Sequence, residues 1–291
     1  MRICGEDCKK DNGNCSHVGS DSLPVQCVGP WVEDKYYFLE RYLNATCEAR
    51  RKFYDKGNAV FIDLFSGPGK CIIKDTKQEI NSGGFRAINL RKVPFNEYIY
   101  CDIDEENTGA FKKRIPPGNK CFFKTGDANA AVIDVAKELL KTSYRYHFAY
   151  IDPFAPENLK FSTLKELAQL NRMDMLIHFP IGAIKRNLDN WMGKSNTILD
   201  SFLGTDAWRS KVNEARKKGE QNVYHALAGV FKEQLKSIGY PEIRLQEAEV
   251  PVKNTREVNL YVLVLATKNK LAQKIWDSVI RIDPDGQRRL L

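Results

Sequence analysis

The stretch Val60–Lys70, VFIDLFSGPGK, joins an apolar run to an aspartate and a glycine turn. Positions 60–62 and 64 are apolar, as in a parallel strand that is covered on both faces. Asp63 interrupts the apolar run where the strand is expected to end. Ligands of open parallel sheets bind just beyond the carboxyl ends of the strands, so this stretch predicts a strand followed by a ligand-binding turn.

The glycine turn does not match either of the common phosphate-binding loops. Gly67 and Gly69 allow a ligand to approach the backbone closely, and Pro68 stiffens the turn between them. The dinucleotide pattern G-x-G-x-x-G requires a third glycine where this chain has Ile72, and a P-loop requires a hydroxyl residue where it has Cys71. The turn therefore predicts a nucleoside cofactor without a pyrophosphate, with an ordinary structural Gly-Pro turn as the alternative.

Strand and helix patterns alternate across residues 58–180, which predicts βαβ units and a mostly parallel sheet of the Rossmann-like α/β class. A helical segment over about 182–240 is expected to be an insertion before the last two strands, which are predicted over 242–250 and 258–267. Residues 1–29 have no hydrophobic period and are interpreted as a Cys-rich N-terminal arm. Residues 30–291 are then predicted to form one domain.

Composition and charge narrow the class of protein. With 291 residues, of which 43% are hydrophobic, the chain can bury a large core. No apolar run is long enough to cross a bilayer and no signal-peptide pattern is present, so we expect a soluble, cytoplasmic protein. Residues 181–291 hold 19 Lys/Arg and 13 Asp/Glu, against 26 and 24 in residues 1–180. This basic excess suits a nucleic-acid partner, and a solvated surface explains it equally well.

The cysteines are concentrated near the N-terminus. All eight lie before residue 122, and the first 27 residues supply a group of soft metal ligands: Cys4, Cys8, Cys15, His17 and Cys27. Such a set could hold zinc in a tetrahedral site, although the paired C-x2-C spacing of zinc fingers is missing. A reduced tail without metal is the alternative.

Aspartates stand at the ends of four predicted strands. Asp63 follows the first strand, Asp102 the second and Asp127 the third, while Asp152-Pro153-Phe154 follows the fourth. Because the carboxyl ends of parallel strands share one edge of a sheet, these carboxylates are expected to surround one site. Each aspartate alone is also a common helix cap or turn residue.

These motifs resemble the class I S-adenosylmethionine-dependent methyltransferases. The similarity covers D-x-F-x-G-x-G at 63–69, the acidic strand end at 102 and G-D at 126–127. The resemblance implies that Asp102 holds the ribose of the cofactor, that Asp127 contacts the adenine and that the glycine turn lies against the amino-acid part. The cofactor-binding set that it implies is Asp63, Phe65, Gly67, Gly69, Asp102, Asp127 and Ala128.

A closer resemblance, over nearly the whole chain, is to the three-Cys-motif partner protein family. It rests on VGPW at 28–31 followed by Lys35, FIDLFSGPG at 61–69, DIDEEN at 102–107, GDAN at 126–129, IDPF at 151–154, IHFP at 177–180 and LATKNKLAQKIWD at 265–277. The resemblance implies a methyltransferase-like protein whose partner is a neighbouring three-cysteine-motif protein. The Cys-rich start of this chain is not part of that pattern.

The Asp152-Pro153-Phe154 segment is similar to the D-P-P-[YFW] signature of amino-group methyltransferases, with one proline absent. In that signature the carboxylate and a backbone carbonyl hold the target NH2 group, and the aromatic ring stacks on the base. His178 is a candidate general base nearby, with a buried core histidine as the alternative.

The resulting hypothesis is methyl transfer from S-adenosylmethionine to an unidentified acceptor, with a nucleobase amino group as a candidate. The alternative is a non-catalytic, methyltransferase-like partner that binds the three-cysteine protein or nucleic acid. Nicotinamide-dependent oxidoreduction is disfavoured by the glycine spacing.

Overall fold

The computed structural model describes residues 10, 13–74, 76–219, 223–240, 250–253 and 259–287. The strands are β1 (Asn14–Val18), β2 (Pro24–Val28), β3 (Ala59–Asp63), β4 (Lys70–Ile73), β5 (Glu79–Asn81), β6 (Glu97–Asp102), β7 (Cys121–Thr125), β8 (Tyr146–Ile151), β9 (Met173–Phe179), β10 (Val250–Lys253) and β11 (Asn259–Ala266). The helices are α1 (Val32–Ala45), α2 (Cys47–Tyr54), α3 (Gly83–Ile88), α4 (Glu105–Arg114), α5 (Ala128–Leu139), α6 (Phe161–Ala168), α7 (Ile181–Met192), α8 (Ile198–Leu203), α9 (Trp208–Lys217), α10 (Tyr224–Ser237) and α11 (Lys270–Val279).

The main sheet contains seven strands in the order β10-β11-β9-β8-β3-β6-β7. Strands β9, β8, β3, β6 and β7 are parallel to one another, and β11 runs antiparallel between β9 and β10. The prediction of a mostly parallel, Rossmann-like α/β sheet is therefore confirmed. Most of the strand predicted over 242–250 lies outside the described residues, and β10 begins at its last residue.

Strand β3 is buried along its whole length, as its apolar run predicted. Its side chains alternate between the two faces of the sheet. Val60 and Ile62 join the core beneath α5, α6, α7 and α10. Ala59 and Phe61 join the core beneath α1, α3 and α11. A strand covered by helices on both faces must be apolar on both, which explains why β3 shows no alternation of polar and apolar residues.

The four helices α7–α10 occupy the range in which the sequence predicted a helical insertion. Their apolar faces contribute Ile184, Leu203, Val212 and Phe231 to the same core as α5 and α6. Among the described residues, none of the helices combines the length and the apolar character needed to cross a bilayer.

The part of the predicted N-terminal arm that the structure describes is a β-hairpin. Strands β1 and β2 pair antiparallel, and β2 continues into a second sheet of order β1-β2-β4-β5. Gln26 of β2 is in register with Cys71 of β4, so the hairpin lies directly beside the chain that leaves the glycine turn. Such short strands bury too few side chains for a hydrophobic period to be visible in the sequence, which is why the arm was predicted without regular structure.

Candidate active site at the strand ends

A cavity of about 550 Å³ opens at the carboxyl ends of the central strands. That volume falls within the range of small-molecule sites in proteins. It is lined by seven of the residues that the sequence predicted for a site: Phe65, Asp102, Asp127, Ala128, Asp152, Pro153 and Phe154. The parallel strands β3, β6, β7 and β8 deliver these residues to one edge, as the topology requires.

Four other predicted site residues lie behind the cavity wall: Asp63, Gly67, Gly69 and His178. Asp63 is 2% exposed and accepts a hydrogen bond from the Phe65 backbone N–H, so it shapes the turn. Burial raises the pKa of Asp63 well above its ordinary value. These residues therefore support the lining residues instead of facing the cavity.

The two glycines of the turn differ in how tightly the protein packs around them. Both adopt the left-handed conformation, with φ of +57° at Gly67 and +87° at Gly69. A Cβ at Gly69 would lie 2.6 Å from the ring of Phe111, and one at Gly67 would lie 3.3 Å from the side chain of Gln26. Protein packing alone thus gives a reason for glycine at position 69, and the close approach of a ligand to the turn stays a prediction.

Asp102 connects the glycine turn to the cavity. Its Oδ2 accepts a hydrogen bond from Gly67 N–H at 2.9 Å, and its Oδ1 accepts from Asp104 N–H and Asn107 Nδ2 at 3.0 Å each. A carboxylate has about four acceptor directions, so one on Oδ2 is left for a ligand. Burial raises the pKa of Asp102, and the three donors oppose this effect.

Two neighbouring aspartates cap helices. Asp127 accepts hydrogen bonds from the backbone and side-chain nitrogens of Asn129 at the start of α5. Asp104 accepts one from Glu106 N–H at the start of α4. Capping, which the sequence left open for Asp127, is thus one role of that residue. Asp127 is nevertheless exposed to the cavity, beside Ala128.

The N-terminal segment forms a whole wall of the cavity, which the sequence did not predict. Nine lining residues lie between positions 13 and 36: Gly13, Gln26, Cys27, Val28, Gly29, Trp31, Val32, Lys35 and Tyr36. A Cβ at Gly29 would lie 2.1 Å from the indole of Trp31, so glycine is needed beneath this ring. The signal that could have revealed the wall was Val28-Gly29-Pro30-Trp31.

Arg114 at the end of α4 fastens the hairpin to the glycine turn. Its guanidinium donates to both carboxylate oxygens of Asp21, at 2.8 and 2.7 Å, and to the carbonyls of Pro24 and Pro68, at 2.8 and 2.5 Å. The Arg114 side chain is only 3% exposed. We call this set of contacts the Arg114 clamp.

A second connection runs from the hairpin to Asp102. Asn14 of β1 donates to Asn107 Oδ1 at 2.7 Å, and Asn107 in turn donates to Asp102. The orientation of the Asp102 carboxylate therefore depends on the docked hairpin.

At the far end of the cavity, Asp152 is paired with a lysine from α1. Lys35 Nζ donates to Asp152 Oδ2 at 2.7 Å, and the hydroxyl of Tyr150 donates to the same oxygen at 3.4 Å. The ammonium also lies 5.0 Å from the centre of the Tyr261 ring, within the range of a cation–π contact. From the sequence, Lys35 was named only as part of the family pattern, and Tyr261 was not named at all.

His178 sits behind Asp152 and is fully buried. Its Nδ1 lies 3.1 Å from Asp152 Oδ1 without the alignment of a hydrogen bond, and neither ring nitrogen has a hydrogen-bond partner among the described residues. Burial lowers the pKa of His178 to about 3, so the ring is neutral at physiological pH. Any effect of His178 on an acceptor must pass through Asp152, because His178 does not reach the cavity.

The described cysteines of the N-terminal segment belong to a small core. Cys15 and Cys27 are 2% and 5% exposed and pack with Val25 and Ile72. No group of three or more metal-binding side chains occurs within the described ranges. Cys4 and Cys8 lie outside those ranges, so a zinc site that includes them stays a prediction.

Comparison with known proteins gave only distant structural similarity. No protein-family model and no curated relative matches the chain. A Legionella pneumophila protein is 9% identical, with 84% of this chain and 90% of that chain covered and a TM-score of 0.44. Trm1 from Pyrococcus horikoshii, solved with S-adenosyl-L-methionine, is 11% identical over 91% of this chain and 63% of its own, with a TM-score of 0.41.

A methyltransferase from Anabaena variabilis, described as SAM-dependent, is 10% identical over 82% of this chain and 94% of its own, with a TM-score of 0.34. All three TM-scores lie below 0.5, and function is therefore inferred from the geometry of the site itself. The resemblance to three-Cys-motif partner proteins stays a prediction.

Proposed function

We propose that this protein binds S-adenosylmethionine in the strand-end cavity and transfers the methyl group to an acceptor, with a nucleobase amino group as the acceptor class. The observation that carries the proposal is the convergence of Asp102, Asp127 and Asp152 on one cavity. Strands β6, β7 and β8 of the parallel sheet, with β3 between β8 and β6, place these carboxylates at one edge, where a nucleoside and a reacting group could be held side by side.

The charge of the cavity supports a cationic ligand. Its lining contains five acidic residues and two lysines, namely Asp102, Asp104, Asp127, Asp152, Glu157, Lys35 and Lys160. Lys35 is already neutralised by Asp152. A lining with excess negative charge attracts the sulfonium and ammonium groups of S-adenosylmethionine and repels the pyrophosphate of a nicotinamide dinucleotide.

The residues present fit a nucleoside of this kind. Asp102 retains one acceptor direction, which suits a ribose hydroxyl. By the family resemblance, Asp127 and Ala128 would contact the adenine edge. The bound cofactor supplies an electrophilic methyl group on a positively charged sulfur.

The chain's own contribution to the reaction would be positioning. Asp152 and the Pro153 carbonyl would accept hydrogen bonds from the amino group of the acceptor. Phe154 is 62% exposed at the cavity, which gives a flat base an apolar surface to stack on. Holding two reactants in line contributes several kcal/mol to many enzymatic reactions, on the order of 7–11 kcal/mol in well-oriented cases.

Calorimetric titration with S-adenosylmethionine and S-adenosylhomocysteine tests the cofactor directly. We expect binding by the wild type and a loss of at least about tenfold in Asp102→Asn, because one hydrogen bond to a charged group contributes about 1.5–3 kcal/mol. Asp134→Asn is the control, because Asp134 is a solvent-exposed aspartate of α5 that does not line the cavity. Absence of binding by the folded wild type, or equal losses in both variants, would contradict the proposal.

A second candidate is a non-catalytic, methyltransferase-like partner. It is favoured by the engagement of Asp152 Oδ2 with Lys35 and Tyr150, which leaves less of the carboxylate for an acceptor. Its partner would be a three-cysteine-motif protein or nucleic acid. The basic excess of residues 181–240, which carry 10 Lys/Arg against 6 Asp/Glu, suits nucleic acid. An assay for transfer of a labelled methyl group from S-adenosylmethionine to RNA, DNA or the partner protein separates the two candidates. Cofactor binding without methyl transfer to RNA, DNA or the partner protein supports the non-catalytic candidate.

A further inference from the structure

Two buried aspartates, Asp63 and Asp174, differ from Asp152, whose side chain is 17% exposed, in the direction of their pKa shifts, and their partners explain the difference. Asp63 and Asp174 are 2% and 6% exposed, and burial raises the pKa of both, that of Asp174 to about 6. Burial also acts to raise the pKa of Asp152, but His178 and Lys35 reverse the effect and lower it. Because His178 is neutral above a pH of about 3, Lys35 supplies the cation at neutral pH. Of these three carboxyls, Asp152 is the one that faces the cavity.

Lys35 is held in place by several contacts. Its side chain is 8% exposed, its Nζ lies 2.7 Å from Asp152 Oδ2, and Tyr261 covers the ammonium at 5.0 Å. Burial acts to lower the pKa of Lys35, but the carboxylate of Asp152 raises it on balance, so the ammonium keeps its charge. A lysine buried on a helix at this cost of desolvation is retained only where a carboxylate compensates it.

We propose that Lys35 is a positioning residue of the methyl-transfer site: its ammonium neutralises and orients the Asp152 carboxylate, so that the acceptor end of the cavity contains an internal ion pair without net charge. The proposal rests on the proposed function. It implies that Lys35 occupies part of the Asp152 carboxylate and that the acceptor uses the acceptor directions that Lys35 and Tyr150 leave. It also implies that the acceptor binds as a neutral N–H donor, since an acceptor cation would meet no uncompensated charge.

The position of α1 thereby becomes part of the acceptor site. Arg86 of α3 joins Glu33 and Glu40 of α1 at 2.8 and 3.1 Å, which fixes the helix that carries Lys35. The acceptor site is complete only when α1 is docked against the sheet. The titratable or charged side chains that face or influence Asp152 are Lys35 and Tyr36 of α1, Asp63 of β3, Cys71 of β4, Tyr150 of β8, His178 of β9 and Tyr261 of β11.

The charge at this end of the cavity can be measured without knowing the acceptor. Sinefungin carries an amine where S-adenosylmethionine carries the methyl sulfonium, whereas S-adenosylhomocysteine has a neutral sulfur there. The ratio of the two affinities reports the charge next to the methyl position, because groups that act equally on both ligands cancel. We would measure this ratio by calorimetry between pH 5.5 and 8.5, a range of about three pH units in which a buried carboxyl without a cationic partner is expected to titrate.

In the wild type we expect a ratio that changes less than about twofold over this range, since the ion pair does not titrate. In Lys35→Met the carboxylate loses its cation and titrates within the range, so the preference for sinefungin should rise with pH by up to about tenfold per unit, the limit for one proton. Lys35→Arg keeps the cation and should restore a flat ratio.

Asp152→Asn is a second, independent variant in case Lys35→Met does not fold. It leaves the Lys35 ammonium without its partner, so the preference for sinefungin should fall at every pH. A flat ratio in a folded Lys35→Met, or an unchanged preference in Asp152→Asn, would overturn the proposal. So would equal losses of both affinities in Lys35→Met, which a merely structural role produces. Failure of the wild type to bind S-adenosylhomocysteine at all would instead remove the proposed function.

Discussion

The Arg114 clamp should determine how firmly the N-terminal hairpin closes the cavity, and Arg114→Met tests this. The substitution keeps the apolar stem of the side chain and removes the guanidinium. It deletes two hydrogen bonds to Asp21 and one each to the carbonyls of Pro24 and Pro68. Asp21 is 29% exposed and can be rehydrated, so only part of its interaction is lost.

The expected magnitude follows from these contacts. The carbonyl bonds contribute about 0.5–1.5 kcal/mol each and the bonds to the carboxylate contribute more, so we take about 3 kcal/mol for the set. Because the hairpin packs at the edge of the fold, the loss should appear as local opening of residues 14–28 instead of global unfolding. At 1.4 kcal/mol per factor of ten, about 3 kcal/mol corresponds to roughly 100-fold faster amide exchange.

The assay is hydrogen–deuterium exchange followed by mass spectrometry of peptides that cover the hairpin and β3. Arg51→Met is the matched control, because Arg51 pairs with Glu48 on α2 at 2.9 Å but is 51% exposed. An exposed pair of this kind contributes about 0–1 kcal/mol, and its loss should leave hairpin exchange unchanged. Exchange in the hairpin of Arg114→Met that equals the wild-type rate would refute the reasoning.

Two further predictions concern stability. In urea unfolding, Gly69→Ala should lower the unfolding free energy by about 1–3 kcal/mol more than Gly118→Ala does. Gly118 has a similar φ of +88° with open space around it, whereas a Cβ at Gly69 would lie 2.6 Å from Phe111. Equal losses would show that the backbone angle alone matters. Asp174 has its pKa raised by burial from 3.8 to about 6, so the folded protein binds this proton more tightly than the unfolded chain. Its contribution to stability is therefore fully present below pH 3.8 and is lost as the pH rises to about 6. The wild type should lose roughly 2.4 kcal/mol of unfolding free energy relative to Asp174→Asn from pH 4 to pH 7, and a pH-independent difference would contradict the assignment.

The main sheet could be predicted because its signals are local. The apolar run at 60–64 indicates a strand that is buried on both faces, and the aspartates that follow successive strands mark the edge where a parallel sheet binds ligands. No knowledge of side-chain packing was needed to predict that Asp102, Asp127 and Asp152 lie close together. Parallel connectivity alone brings them to one cavity.

The hairpin could not be predicted because its partners are remote in sequence. Gln26 pairs with Cys71, and Arg114 holds the turn from the end of α4. Strand pairing of this kind depends on side-chain contacts across the sheet more than on intrinsic preference, so it leaves little local trace. The glycine turn shows the same limit: the sequence indicated glycine at 67 and 69, but only the structure identified the ring of Phe111 as a reason for glycine at 69.

By itself, the sequence determined the sheet, its ligand-binding edge and the chemical character of the strand ends, because hydrophobic burial and turn geometry act on neighbouring residues. The tertiary structure alone decided that Lys35 pairs with Asp152, 117 residues away, and that the N-terminal hairpin walls the cavity. A lysine in a helical pattern is usually solvated. It becomes part of the site only when packing removes water and leaves one carboxylate to balance its charge.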